Sequence, residues 1–229
     1  MAYGNEAWGG PLQVHRYLSD ANVDWGQQLK AVKLYLDKNH ITNCWFAYFP
    51  DGAVEPSDYG VHCHRLPTAN NISWMSLPME VPPVIDGTVL ISDSDLEGIE
   101  FGDGSLNPYD QFRGMEPVTV IQDGIDVYQG RFAIPLASAL VDVRKSGELA
   151  KAGQSKSALD AAEGAVKLAP GSAITQLNLA GLLASQGQWR DALNHYQAAD
   201  VLVRTVRPDL QEDLLPKITA GLAAAHNHF

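Results

Sequence analysis

Apolar and polar positions follow two different rhythms along this chain. Up to about residue 135, short apolar runs alternate with glycine-, proline- and acid-bearing stretches, the pattern of strands and turns. Beyond that point, apolar and small residues recur every three or four positions, as on packed helices. Within the first part, Trp25, Leu29, Val32 and Leu36 share one face at helical spacing. They predict a helix over about Trp25 to Lys38, with Asp24 and Gln27 as a capping box and Asn39 as a left-handed stop. Pro11 opens a shorter helix through about Leu18, a position where proline is tolerated. Asn43 to Phe49 reads as a buried strand ended by the turn Pro50-Asp51-Gly52, and Tyr59 to Leu66 as a weaker second strand. Asn71 to Val84, with Trp74 and Met75, is proline-rich and aperiodic. Thr88 to Ser92 is a strand entered from Asp86-Gly87, and Asp93 to Glu97 a cap and a short helical turn. The stretch from Gly98 to Gly114 is loop-like, with a helical turn over Pro108 to Phe112. Val118–Ile121 and Ile125–Tyr128, split by Gln122-Asp123-Gly124, form a hairpin. Residues 1–135 therefore read as an α/β domain of about five strands in a mixed sheet with flanking helices, entered through a glycine-rich lead-in at 1–11.

The second part, 136–229, shows internal similarity at a spacing of about 34 residues. Gly153, Ala158, Ala162, Ala165, Leu168 and Pro170 fit the second helix of one unit. Leu179, Ala180, Leu183, Gly187, Ala192, Tyr196, Ala199 and Leu202 fit the next. Small residues stand where helices cross closely, and large ones between. The pattern resembles the tetratricopeptide repeat, with departures at Lys145, Ser146 and Arg204. It implies an all-α domain of about two repeats and a capping helix from about Asp209 to His226, in which Pro216 is a kink or break. So few repeats need neighbours to bury their faces, by docking on the first domain or pairing with another copy, which favours a structural buttress over a peptide groove.

Charge sharpens the division. The chain has 27 acidic and 16 basic residues, a formal net charge of −11. Residues 1–135 hold 18 of the acids against 7 bases, and 136–229 hold 9 of each. A boundary near Pro135 follows. No basic stripe is available to neutralise phosphates, which argues against a nucleic-acid partner. No run approaches the roughly 20 apolar residues of a membrane span, and no signal peptide is recognisable. Met1 stands directly on what reads as mid-domain sequence, so a piece of a longer protein is expected.

Candidate chemistry is sparse. Asp20, Asn22 and Asp24 alternate before Trp25, but the glycine comes late for a calcium loop and Ala31 stands where a bidentate Glu is needed. Asp51, Asp93 and Asp95 follow strands, where open α/β sheets collect ligands; turn and cap chemistry explains each of them singly. With Asp20 to Asp24 on the same rim, an acidic cleft bearing Trp25 would result. His62 and His64 share a strand face, yet no second ligand pair accompanies them, so no metal and no cofactor are expected. Cys44 and Cys63 lie one in each neighbouring strand, as a disulfide or as two buried thiols.

The run from Tyr17 to Leu29 (Tyr17-Leu18-Ser19-Asp20-Ala21-Asn22-Val23-Asp24-Trp25-Gly26-Gln27-Gln28-Leu29) carries the second resemblance, with Tyr48-Phe49, Tyr59-Gly60 and Glu116-Pro117-Val118. It is similar to the soluble tail of bacterial polytopic glycosyltransferases of the family 39, dolichyl-phosphate-mannose-dependent type. That resemblance implies a non-catalytic extracytoplasmic accessory domain, because the catalytic acids are expected beside transmembrane helices outside this chain. Gly4 to Pro11 would leave the last membrane helix, and the membrane-embedded domain of the same protein would be a partner. The location would favour a Cys44–Cys63 disulfide. It would also suit recognition of an acceptor glycan or a protein through Asp20, Asn22, Asp24, Trp25, Gln27, Asp51, Tyr59, Asp93 and Asp95. Two alternatives stand beside it. One is an interaction module whose repeats hold a partner through Asn178, Asn194 and His195. The other is a hydrolase or transferase using Asp20, Asp24, Asp93 or Asp95 for acid–base work. Against the latter, the chain shows no serine elbow, phosphate-binding glycine loop or zinc motif.

Overall fold

The computed structural model describes residues 27–50, 54–68, 79–98, 101, 106–206 and 208–228. It divides into a sheet unit, made up to residue 101 and again over Tyr109–Ala133, and a helical unit from Ile134 onward to which 102–108 also belong.

Five strands form the sheet: β1 (Cys44–Ala47), β2 (His64–Arg65), β3 (Val84–Ser92), β4 (Thr119–Ile121) and β5 (Ile125–Ala133). Their order is β2-β1-β3-β5-β4. β1 runs parallel to both β2 and β3, whereas β5 is antiparallel to β3 and to β4. This is the mixed sheet that the strand pattern predicts. Helix α1 (Leu29–Lys38) lays Leu29, Val32 and Leu36 onto Cys44, Phe46, Tyr48, Leu90, Ile125 and Val127. Each such buried side chain is worth about 1.5–3 kcal/mol. On β3, Thr88 to Ser92 are buried without alternation, so both faces of the sheet are covered at this end. Phe112 packs on Tyr128 and Phe132, with ring centres 4.9 and 5.1 Å apart.

Four local expectations need correction. Helix α1 starts at Leu29 rather than near Trp25, and Gln28 stands at its N-cap without a side-chain capping bond. The reason is a long-range tie: the Gln28 amide donates to the Gln122 carbonyl at 3.1 Å, which fixes Gln27-Gln28 as a turn. At the other end Asn39 keeps φ −98 while His40 takes the left-handed turn at φ 54. The Asn39 side chain instead donates to the Tyr35 carbonyl at 2.8 Å. Finally, Pro56–Tyr59 forms a 3-10 turn, because proline pre-sets the first helical φ, and β2 shrinks to two residues. β3 and β5 run the other way, each extending beyond its apolar run because Val84 to Asp86 pair with Arg131 to Ala133.

The helical unit is a run of five packed helices: α3 (Pro135–Lys151), α4 (Ser155–Leu168), α5 (Ala173–Ser185), α6 (Trp189–Val203) and α7 (Pro208–His226). Every helix packs on the next, and α5 also touches α3 and α7. Ala158, Ala162, Ala165, Ala180, Ala192 and Ala199 have no exposed surface, so the crossings are close. Gly187 turns α5 into α6 at φ 74, a conformation open to glycine. At Gly221 a Cβ would sit 2.2 Å from the Tyr196 ring, so α7 approaches α6 more closely than any side chain allows. Helix α7 continues through Pro216 without a break. No helix among the described residues is long and apolar enough to cross a membrane.

Candidate functional site

Two places concentrate polar groups, one in each unit. In the sheet unit, β3 runs directly into the short helix α2 (Asp93–Leu96), with Ser92 at its N-cap. Ser92, Asp93, Ser94 and Asp95 are at most 1 % exposed. The Ser92 hydroxyl accepts from the Phe49 N–H at 2.9 Å and donates to Asp95 Oδ2 at 2.7 Å, tying the ends of β1 and β3 together. The Asp93 N–H donates to the Gly124 carbonyl at 3.0 Å. Tyr109, buried nearby, donates to the Pro67 carbonyl at 2.6 Å. Burial, and after it the Asp95 carboxylate, pushes the Tyr109 hydroxyl well above its ordinary range. Asp126 accepts from the Tyr128 hydroxyl at 2.9 Å. Asp93 and Asp95 are thus buried at the end of β3, and the Asp95 and Asp126 carboxylates are each held by a neighbouring hydroxyl.

In the helical unit the polar groups face outward over an apolar floor. Helices α4, α5 and α6 line an open cavity of about 350 Å³ whose floor is Val166, Leu179 and Leu183. Its rim carries Glu163 and Lys167 from α4, and Asp191, Asn194 and His195 from α6. Helical spacing puts Glu163 with Lys167, and Asp191 with His195, on common faces. His195 is fixed from α5. The Gln176 Nε2 donates to the Pro170 carbonyl at 2.8 Å, which turns its Oε1 toward His195 Nδ1 at 2.7 Å. That acceptor selects the tautomer with hydrogen on Nδ1 and leaves Nε2 as an acceptor. Desolvation lowers the His195 pKa, opposed by the Asp191 and Glu163 carboxylates. The arrangement presents a neutral imidazole between two carboxylates and one ammonium. It can bind; the described residues around it present no nucleophile paired with a base.

The sequence-predicted residues are distributed as follows. Asp20, Asn22, Asp24, Trp25 and Asp51 lie outside the described residues, as does most of the aperiodic stretch with Trp74 and Met75. Gln27 is in the exposed turn before α1, and Tyr59 ends the 3-10 turn, half-exposed. Asn194 and His195 line the same cavity, but Asn178 does not. Its amide donates to the Ser146 hydroxyl at 2.8 Å, between α5 and α3. Ser146 is the departure noted in the repeat pattern, and Asn178 is what accommodates it. Cys44, at the start of β1, and Cys63, immediately before β2, are disulfide-bonded, with Cα atoms 4.7 Å apart. Glu163, Lys167, Asp191 and Gln176 were missed, although the three-to-four spacing of Gln188, Asp191 and His195 along α6 points to a shared face. Among the described residues no group of three potential metal ligands converges.

Compared with family models, curated proteins and solved structures, the chain matches none.

Proposed function

We propose that the chain is an extracytoplasmic, non-catalytic accessory module, the tail of a membrane glycosyltransferase of the kind its first 135 residues resemble. In this reading the five helices are two tetratricopeptide-like pairs and a closing helix, and the cavity across α4, α5 and α6 is the working surface. It holds an extended segment of a partner protein. The observation that carries the proposal is that cavity. An apolar floor is rimmed by Glu163 and Asp191 from two helices, with Asn194 and His195 between them to bond a peptide backbone. Two carboxylates against the single ammonium of Lys167 favour a segment with one basic side chain beside an apolar anchor. The Cys44–Cys63 disulfide supports an oxidising compartment, since such bonds are rare in the cytosol.

The test is selection from a displayed library of random twelve-residue peptides, followed by titration of the winners. The expected result is a shared basic-plus-apolar motif whose affinity falls about tenfold in Asp191→Asn, one unfavourable charge-pair loss. Selected peptides that bind Asp191→Asn and Asn194→Ala as well as the parent would contradict the proposal.

A further inference from the structure

His195 is held at the rim of the cavity across α4, α5 and α6 by a chain of bonds that runs in one direction only. The Pro170 carbonyl can only accept, so the Gln176 atom that meets it at 2.8 Å is the amide nitrogen. Gln176 is 7 % exposed, and its Oε1 is left 2.7 Å from His195 Nδ1. An oxygen at that place requires the hydrogen on Nδ1. The other ring nitrogen, Nε2, bonds no described residue, and in the neutral ring it is a lone pair.

The charged groups around the ring are uncommitted. Glu163 and Lys167 face the cavity from α4 and Asp191 from α6, whereas α5 lines it with Leu179 and Leu183 alone. Both carboxylates act on His195, opposing the desolvation that lowers its pKa. Neither makes a hydrogen bond or ion pair with a described residue. Elsewhere in the helical unit, carboxylates four residues from an arginine are taken, as in Arg144–Glu148 and Arg204–Asp200. Glu163 has only Lys167 at that spacing and stays unpaired.

Two carboxylates and a lone pair all accept, and none of the three donates. A guanidinium carries five N–H groups in one plane, so it can serve acceptors on α4 and α6 together. Its flat, weakly hydrated face can rest on Val166, Leu179 and Leu183 at little cost. An ammonium is a compact point charge that holds its water firmly, and an apolar floor strips that water. We infer that the basic side chain of the partner segment is arginine, and that His195 Nε2 selects it by accepting one of its N–H groups. This rests on the reading of the cavity as a partner site and refines it: His195 reads the side chain, and Asn194 keeps the backbone. A proton on Nε2 removes the lone pair and sets a positive charge beside the guanidinium. Affinity is therefore full while the ring is neutral and is lost as pH falls.

The test is calorimetric titration of one selected peptide into the intact chain at pH 7 and at pH 5. Three forms of the peptide differ only at the basic position, which holds arginine, lysine or citrulline, the last a neutral urea of nearly the same shape as arginine. The arginine form is expected to bind about tenfold tighter than either of the others at pH 7, and to lose about tenfold at pH 5. In His195→Gln an acceptor remains that does not titrate, so the loss at pH 5 should shrink to about twofold or less. That variant also separates the imidazole from Glu163 and Asp191, whose uptake of protons would weaken binding with the same sign. Equal binding of the arginine and lysine forms would overturn the inference, as would a loss at pH 5 that persists in His195→Gln. With either result, peptides still weakened by Asp191→Asn would leave the partner site standing. Peptides indifferent to Asp191→Asn would remove the site and the inference together.

Discussion

The sheet unit and the helical unit treat their polar groups in opposite ways. In the sheet unit, charge is drawn inside. Asp93, Asp95 and Asp126 are buried at the junction of β3 and β5, with Ser92 and Tyr128 as hydroxyl partners of Asp95 and Asp126. In the helical unit the buried side chains are mostly alanine, leucine, valine and isoleucine, with Tyr196 and uncharged polar groups such as Ser146, Thr175 and Gln176, and the charges stand on the rim of an open cavity. Buried polar networks specify a unique arrangement and are costly when one member is lost. Rim charges cost little to keep and are available to a partner. The difference teaches that acids after a strand can be drawn into the interior, whereas an amphipathic helix face leaves its charges at the surface.

Each unit can be attacked at the feature that holds it. The largest effect is expected in the sheet unit from Cys44→Ala with Cys63→Ala. Loss of the cross-link should cost about 3 kcal/mol, as for loops of similar length, read as faster hydrogen exchange at β1 and β2. Unchanged exchange there would mean that the sheet is held by packing alone. Next comes Gly221→Val in the helical unit, where the added carbons meet the rigid Tyr196 ring. About 1–3 kcal/mol should be lost, the usual cost of overpacking. Protection from exchange in α6 and α7 would report it, and full protection would show that α7 can retreat.

Ser92→Ala comes third. It removes the hydroxyl that accepts from Phe49 and donates to Asp95. A cost of about 1–3 kcal/mol is expected for orphaning buried partners, against near-neutrality for Ser185→Ala on the exposed end of α5. Equal melting temperatures for the two variants would remove the contrast drawn between the units.

The smallest effect concerns pH. Because the His195 pKa is lowered in the fold, the unfolded chain takes up the proton first as pH falls. Stability should therefore decline as pH drops through the ordinary imidazole range and stay level above it. The melting-temperature difference between the parent and His195→Gln, followed from pH 7 to pH 5, isolates that share. A difference independent of pH would mean that His195 is not desolvated at the cavity.

Legibility in the sequence followed the range of the interactions. The hairpin, the face of α1 and the alanine crossings of the helical unit are set by neighbours a few positions away, and the pattern shows them. Helix α1 begins late because Gln28 reaches Gln122, a contact that no window around the helix contains. The β2 strand shortens for a local reason that was overlooked, Pro56 at the first position of a turn. Asn194 and His195 could be named from exposure on a helix face. Glu163 lines the cavity from α4 and Gln176 holds His195 from α5, and only the packing of α4, α5 and α6 brings them to that histidine. Burial of Asp93 and Asp95 was not readable either, since strand-end acids look alike whether sealed or open.

The most direct test of the central claim is calorimetric titration of the best selected basic-plus-apolar peptide into the parent chain, Asp191→Asn and the double cysteine variant. Binding should be lost or weakened about tenfold in Asp191→Asn and kept at parental strength without the disulfide. That outcome would place recognition in the helical unit. Parental binding by Asp191→Asn, with loss in the cysteine variant, would contradict the account and move the working surface to the sheet.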